Sequence, residues 1–112
     1  SIFWRSLWTN MNTFSCFFKK YRLKAEFPSH TAFANALAQK GYIYDNSIFS
    51  HWQKGTRTPT NRHLLLKMIE IFIERKAMQT LHEANEFLAS TGLGYLTREE
   101  KYKLFTNDII SL

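Results

Sequence analysis

Apolar residues recur along this chain at helical rather than strand spacing. Phe14, Phe17, Phe18, Tyr21 and Ala25 fall at i, i+3, i+4, i+7 and i+11, which predicts a first helix with one apolar stripe. Lys19, Lys20, Arg22 and Lys24 occupy its other faces, giving it a basic exterior. Pro28 ends that helix, because a proline disfavours the helical conformation of the residue before it, and Ser29 or His30 opens the next. A second helix over 31–40 turns Phe33, Ala36 and Leu37 inward, and its small residues Ala34, Ala36 and Ala38 let a neighbouring helix approach closely. Gly41 fits the position just past a helix end, where a left-handed backbone is common.

Residues 42–44 (Tyr-Ile-Tyr) form a connector, the one β-leaning piece and too short for a strand. Asp45, Asn46 or Ser47 caps a brief third helix over 47–54, with Ile48, Phe49 and Trp52 apolar, and Gly55 stops it. A turn follows over 56–59. Thr60 or Asn61 then caps a longer helix to about Arg75, whose Leu64, Leu65, Leu66, Met68, Ile69, Ile71, Phe72 and Ile73 leave little polar circumference and mark it as central. Thr80 with Glu83, and Thr97 with Glu100, have capping-box form. The first opens a helix with Leu81, Ala84, Phe87 and Leu88 on one face, ended by Gly92; the second leads to Tyr102, Leu104 and Phe105. The expected fold class is all-α, a bundle of about six helices.

Length and composition narrow the function. At 112 residues, with 45% hydrophobic and 21% charged residues, the chain suits one core. Every apolar run is interrupted by a charged or amide side chain well short of the ~20 residues a membrane span needs, so no membrane partner is expected. The one cysteine, Cys16, excludes an internal disulfide, suits a reducing compartment and, between apolar neighbours, is expected to be buried. The segment 1–10, carrying Ile2, Phe3, Trp4, Leu7 and Trp8 around Arg5, reads either as a stretch ahead of a natural start at Met11 or as an amphipathic anchor. The net charge of +6 is uneven: up to Pro59 eight basic residues face only Glu26 and Asp45, whereas the remainder carries seven of each sign. A basic first half suits a polyanion.

Catalytic chemistry finds no foothold. His30, His51, His63 and His82 share no ligand spacing, so no metal is expected. Ser50-His51 lacks a third partner, the adjacent Glu99 and Glu100 diverge on a helix, and the glycines at 92 and 94 lead into no phosphate-binding loop. The expectation is no enzyme, no catalytic residues and no cofactor.

The third helix offers a different use. Ser47, Ser50, His51 and Lys54 fall at i, i+3, i+4 and i+7, a polar face opposite Phe49 and Trp52, and short polar groups on a lean helix can reach base edges in the DNA major groove. Residues 31–38 (Thr-Ala-Phe-Ala-Asn-Ala-Leu-Ala) and 47–59, ending Trp52-Gln53-Lys54-Gly55-Thr56-Arg57-Thr58-Pro59, resemble the helix-turn-helix domain of phage-repressor and XRE-like bacterial regulators. The resemblance covers roughly half the chain and implies a lambda-repressor-like bundle binding double-stranded DNA in the cytoplasm, at the nucleoid. It implies base contacts from Asn46, Ser47, Ser50 and His51, and phosphate contacts from Lys54, Thr56, Arg57 and Arg62. Lys19, Lys20 and Arg22 would join them if their face reaches the phosphates.

The chain departs from the family in its longer path between the second and third helices, 41–45, where Tyr42 and Tyr44 either pack beneath the turn or sit on a phosphate. The divisions expected are a tail over 1–11, the helix-turn-helix domain over 12–76 and a helical extension over 77–112. That extension is similar to those that follow such domains at the head of longer polypeptides. A homodimer, or membership of a larger polypeptide, is expected, the apolar helix 64–73 or the extension supplying the interface. The alternative is an adaptor: the same scaffold binding protein rather than DNA.

Overall fold

Each predicted helix forms, and five of the six begin at a side-chain cap. The computed structural model describes residues 13–111, with side chains for 13–105, so the readings of the segment 1–10 lie outside the described residues. Helix α1 (Phe14–Lys24) starts at Thr13, whose side chain accepts from the Cys16 amide, and its Phe14, Phe18 and Tyr21 are buried. Helix α2 (His30–Gln39) is capped by Ser29, which accepts from the Ala32 amide. Helix α3 (Asn46–Lys54) begins at Asp45, whose carboxylate makes no capping bond. Helix α4 (Arg62–Glu74) is capped by Asn61, and α5 (Leu81–Ala89) by the full Thr80–Glu83 capping box. Helix α6 (Arg98–Ser111) breaks at Phe105, where φ is −118° and the ring turns into the core. Its own capping box holds too: Thr97 Oγ1 accepts from the Glu100 amide at 3.2 Å, and the Glu100 carboxylate accepts from the Thr97 amide at 2.8 Å. Among the described residues there is no strand, and no helix is long and apolar enough to cross a membrane.

Aromatic rings tie the helices into one core. Phe18 of α1 meets Phe33 of α2 edge-on at 5.4 Å, Phe33 meets Phe49 of α3 at 5.8 Å, and Phe49 meets Trp52 at 5.1 Å, all near-perpendicular. Such edge-to-face geometry aligns the positive rim of one ring with the negative face of another, adding about 1 kcal/mol per pair to the area buried. The expected extension joins the same core, since Phe87 of α5 lies 5.3 Å from Phe14 and 5.5 Å from Phe72 of α4. The apolar excess of α4 is used here as well: Leu64, Leu65, Met68, Ile69, Ile71 and Phe72 are buried within the chain.

Three local expectations are corrected. Cys16 is exposed rather than buried, because it sits off the stripe defined by Phe14, Phe18 and Tyr21. Leu81, expected on the inner face of α5, is 37% exposed in that helix's first turn. Tyr102 of α6, in the expected apolar set with Leu104 and Phe105, is 64% exposed.

Candidate nucleic-acid interface

Helix α3 has two dissimilar edges. Phe49 and Trp52 are buried, and Tyr44 from the connector closes over them edge-on at 6.5 and 6.0 Å. On the opposite edge Asn46, Ser47, His51 and Lys54 are exposed and Ser50 is half-buried. The structure thus brings the four expected base-contact residues onto one outward face.

What fixes the orientation of α3 is a polar knot beneath its C-terminal turn. Gln53 Oε1 accepts from Arg22 of α1 at 3.0 Å and lies 3.1 Å from His30 Nε2 of α2, so one amide oxygen joins three helices. Arg22 also donates to the Phe27 carbonyl at 2.9 Å, is 6% exposed, and has its pKa lowered by burial; its Nε has no partner among the described residues. Buried in this way, Arg22 positions α3 and is not a phosphate contact. Sequence reasoning passed over Gln53, because its neighbours in the knot lie 23 and 31 residues away.

At its N-terminus α3 is tethered to α2 by Asn46 Nδ2, which donates to Thr31 Oγ1 at 2.8 Å. Beyond its C-terminus the chain reverses through Gly55, at φ +83°, a left-handed conformation that glycine adopts without the steric cost a side chain brings. The amides of Gly55 and Thr56 return to the His51 carbonyl at 3.0 and 3.1 Å. Thr56 Oγ1 donates to that carbonyl at 3.2 Å and lies 2.8 Å from His51 Nδ1. The turn thereby projects Lys54, Thr56 and Arg57, all exposed.

Ion pairing narrows the basic half to a few cations. Lys40 is held by Glu70 and Glu74 at 2.7 Å each, and Lys24 approaches Glu83 at 3.9 Å. Arg62, expected on phosphate, is turned elsewhere: it donates twice to Glu100 at 2.8 Å and to the Leu93 and Tyr95 carbonyls at 2.7 and 2.8 Å. Those bonds hold the Glu100 carboxyl down at about 2. Lys54, Arg57, Lys19 and Lys20 remain exposed without an acidic partner among the described residues. Ser15, Lys19 and Arg22 share a face of α1 at i, i+4 and i+7. Ser15 lies beside Gly55, with its Oγ 3.5 Å from where a Cβ there would sit, and Arg22 reaches Gln53. Lys19, between them, therefore flanks the turn that carries Lys54 and Arg57. Asp45, the nearby carboxylate, is at the far end of α3, about 13 Å along the axis at 1.5 Å per residue.

No family model, no curated protein and no solved structure matches this chain. Tyr42 and Tyr44 stack with centroids 6.3 Å apart and rings 2° from parallel, and the Tyr42 hydroxyl bonds His63 Nδ1, so both pack beneath the connector. An open cleft of about 450 Å³, lined in part by Lys67, Glu70, Glu99, Glu100 and Lys103, carries both signs of charge. Among the described residues no three metal-ligating side chains converge.

Proposed function

We propose that this chain is a double-stranded DNA-binding module of the helix-turn-helix kind, a transcriptional regulator or the DNA-binding head of a larger protein. One observation carries the reading: α3 buries Phe49 and Trp52 while presenting a polar outer face that ends in a basic turn with no acidic partner among the described residues. Helix α3 enters the major groove, Ser47, Ser50 and His51 approach base edges with Asn46 at the rim, and Lys54, Thr56, Arg57 and Lys19 contact phosphate. Arg62 and Arg22 have structural roles instead. A nine-residue helix covers few base pairs, so two copies on paired half-sites supply specificity. Exposed Leu81 and Tyr95 offer apolar surface for that pairing.

The test is binding to a mixed-sequence duplex, read by fluorescence anisotropy at 50 and 200 mM salt. Three cationic phosphate contacts (Lys54, Arg57 and Lys19) predict about forty-fold weakening over that range. Arg57→Ala weakens binding on every sequence and reduces the logarithmic salt slope by about one. Absence of duplex binding at either salt would overturn the DNA reading and leave the adaptor alternative.

A further inference from the structure

The connector between α2 and α3 holds one aliphatic side chain away from the body of the protein. On its inner side the Tyr42 and Tyr44 rings lie parallel, with centroids 6.3 Å apart. That is close to the ~6.6 Å between alternate residues of an extended chain. Both rings are anchored: the Tyr42 hydroxyl bonds His63 of α4, and Tyr44 closes edge-on over Phe49 and Trp52. With the residues on either side of it turned inward, Ile43 is forced outward. It is 85% exposed, the most of any large hydrophobic side chain among the described residues. Unlike the exposed Tyr95 and Tyr102, it has no polar tip to offer water. Asn46, the first residue of α3 and the rim of its polar outer face, follows three residues later, so the chain between them spans at most about 11 Å.

We propose that Ile43 is a further specificity residue of the DNA interface, one that reads the 5-methyl group of thymine. This rests on the DNA-binding reading above and extends it to a residue outside α3. An aliphatic side chain neither donates to nor accepts from a base edge, and a phosphate left dry against it loses its hydration without compensation. The apolar group that bases show in the major groove is the thymine C5 methyl, and contact between it and Ile43 removes both from water. Cytosine carries only hydrogen at that carbon, so the discrimination among pyrimidines comes from a single methyl. Because Tyr42 and Tyr44 already hold the connector in place, little conformational freedom is lost when the contact forms.

Selection from random duplexes supplies a preferred site, in which thymines are then replaced one at a time by uracil. That exchange removes the methyl and keeps every base-pairing group. At one position, beside those that Asn46→Ala relaxes, the wild type loses about four-fold in affinity, the effect of returning one methyl to water. Ile43→Ala binds the thymine and uracil duplexes alike and keeps the wild-type salt slope. Its melting temperature also stays that of the wild type, since the side chain removed is exposed. The proposal is overturned if no uracil substitution weakens the wild type. It is equally overturned if the uracil penalty survives in Ile43→Ala, which gives the methyl contact to another residue. A loss of affinity by Ile43→Ala on both duplexes equally, with dissociation of a dimer in sedimentation, makes Ile43 a contact between two copies and overturns it too. A wild type that binds no duplex removes this proposal along with the DNA reading, whereas binding without a uracil penalty leaves DNA binding standing.

Discussion

Replacing Arg62 with alanine distinguishes a phosphate ligand from a structural clamp. In the structure Arg62 spans from the first residue of α4 to the first turn of α6, with two charge-assisted bonds to Glu100 and two to main-chain carbonyls. The Glu100 carboxyl falls from 4.5 to about 2, owing first to the Arg62 bonds, with burial acting in the opposite direction. At about 1.4 kcal/mol per pH unit, that fall bounds the stabilisation at about 3.5 kcal/mol. Part belongs to the Thr97 amide, which Glu100 also accepts, and the Arg62 side chain keeps 33% of its surface in water, which screens the pair. The Arg62 share is then about 2 kcal/mol, or a fall of about 8 °C in the melting temperature of a domain this size. The sign of the pH dependence follows from the depressed carboxyl. The stabilisation is complete above the ordinary carboxyl value and is lost as pH falls from about 4.5 toward 2. Thermal unfolding followed by circular dichroism should therefore separate Arg62→Ala from wild type at pH 7 and narrow the gap near pH 2 to what the two main-chain carbonyl bonds contribute, with the salt slope of duplex binding unchanged. A variant that melts with the wild type at pH 7 while its salt slope drops by one would make Arg62 a phosphate contact and refute the clamp.

Two smaller perturbations test the local geometry. Gly55→Ala forces a side chain into φ +83°, and since its Cβ would meet Ser15 only at ordinary contact distance, the backbone term of about 1 kcal/mol should be nearly the whole loss in urea unfolding; a neutral result would dispute the left-handed cap. Cys16, exposed in the first turn of α1, should react with a thiol reagent in native buffer nearly as fast as in denaturant, and protection of several hundred-fold would return it to the interior.

Much of the architecture is written in local chemistry. The caps at Ser29, Asn61 and Thr80 and the reversal at Gly55 are each decided by residues within a turn of one another, so sequence suffices to find them. Cys16 was also within reach: at 100° per residue it stands 200° from Phe14, and its apolar neighbours in sequence are not its neighbours in space. The fates of the cations were not legible. Whether Arg62 faces phosphate or protein depends on Glu100, 38 residues on, and the burial of Arg22 depends on an amide brought in by α3. Pairing among surface charges is a property of the assembled bundle, and a run of basic residues does not disclose which of them the fold will neutralise. The outward face of α3 fared better, since a helix with two large rings on one edge has only one way to turn.

Phe87 imposes a limit on how this module can be reused. It fills the space enclosed by Phe14, Tyr21 and Phe72, so a cut ahead of α5 would strip three rings from two other helices of their cover. The smallest transplantable piece therefore runs past Ala89, and grafts or fusions joined between α4 and α5 would inherit a hollow where a buried ring belongs.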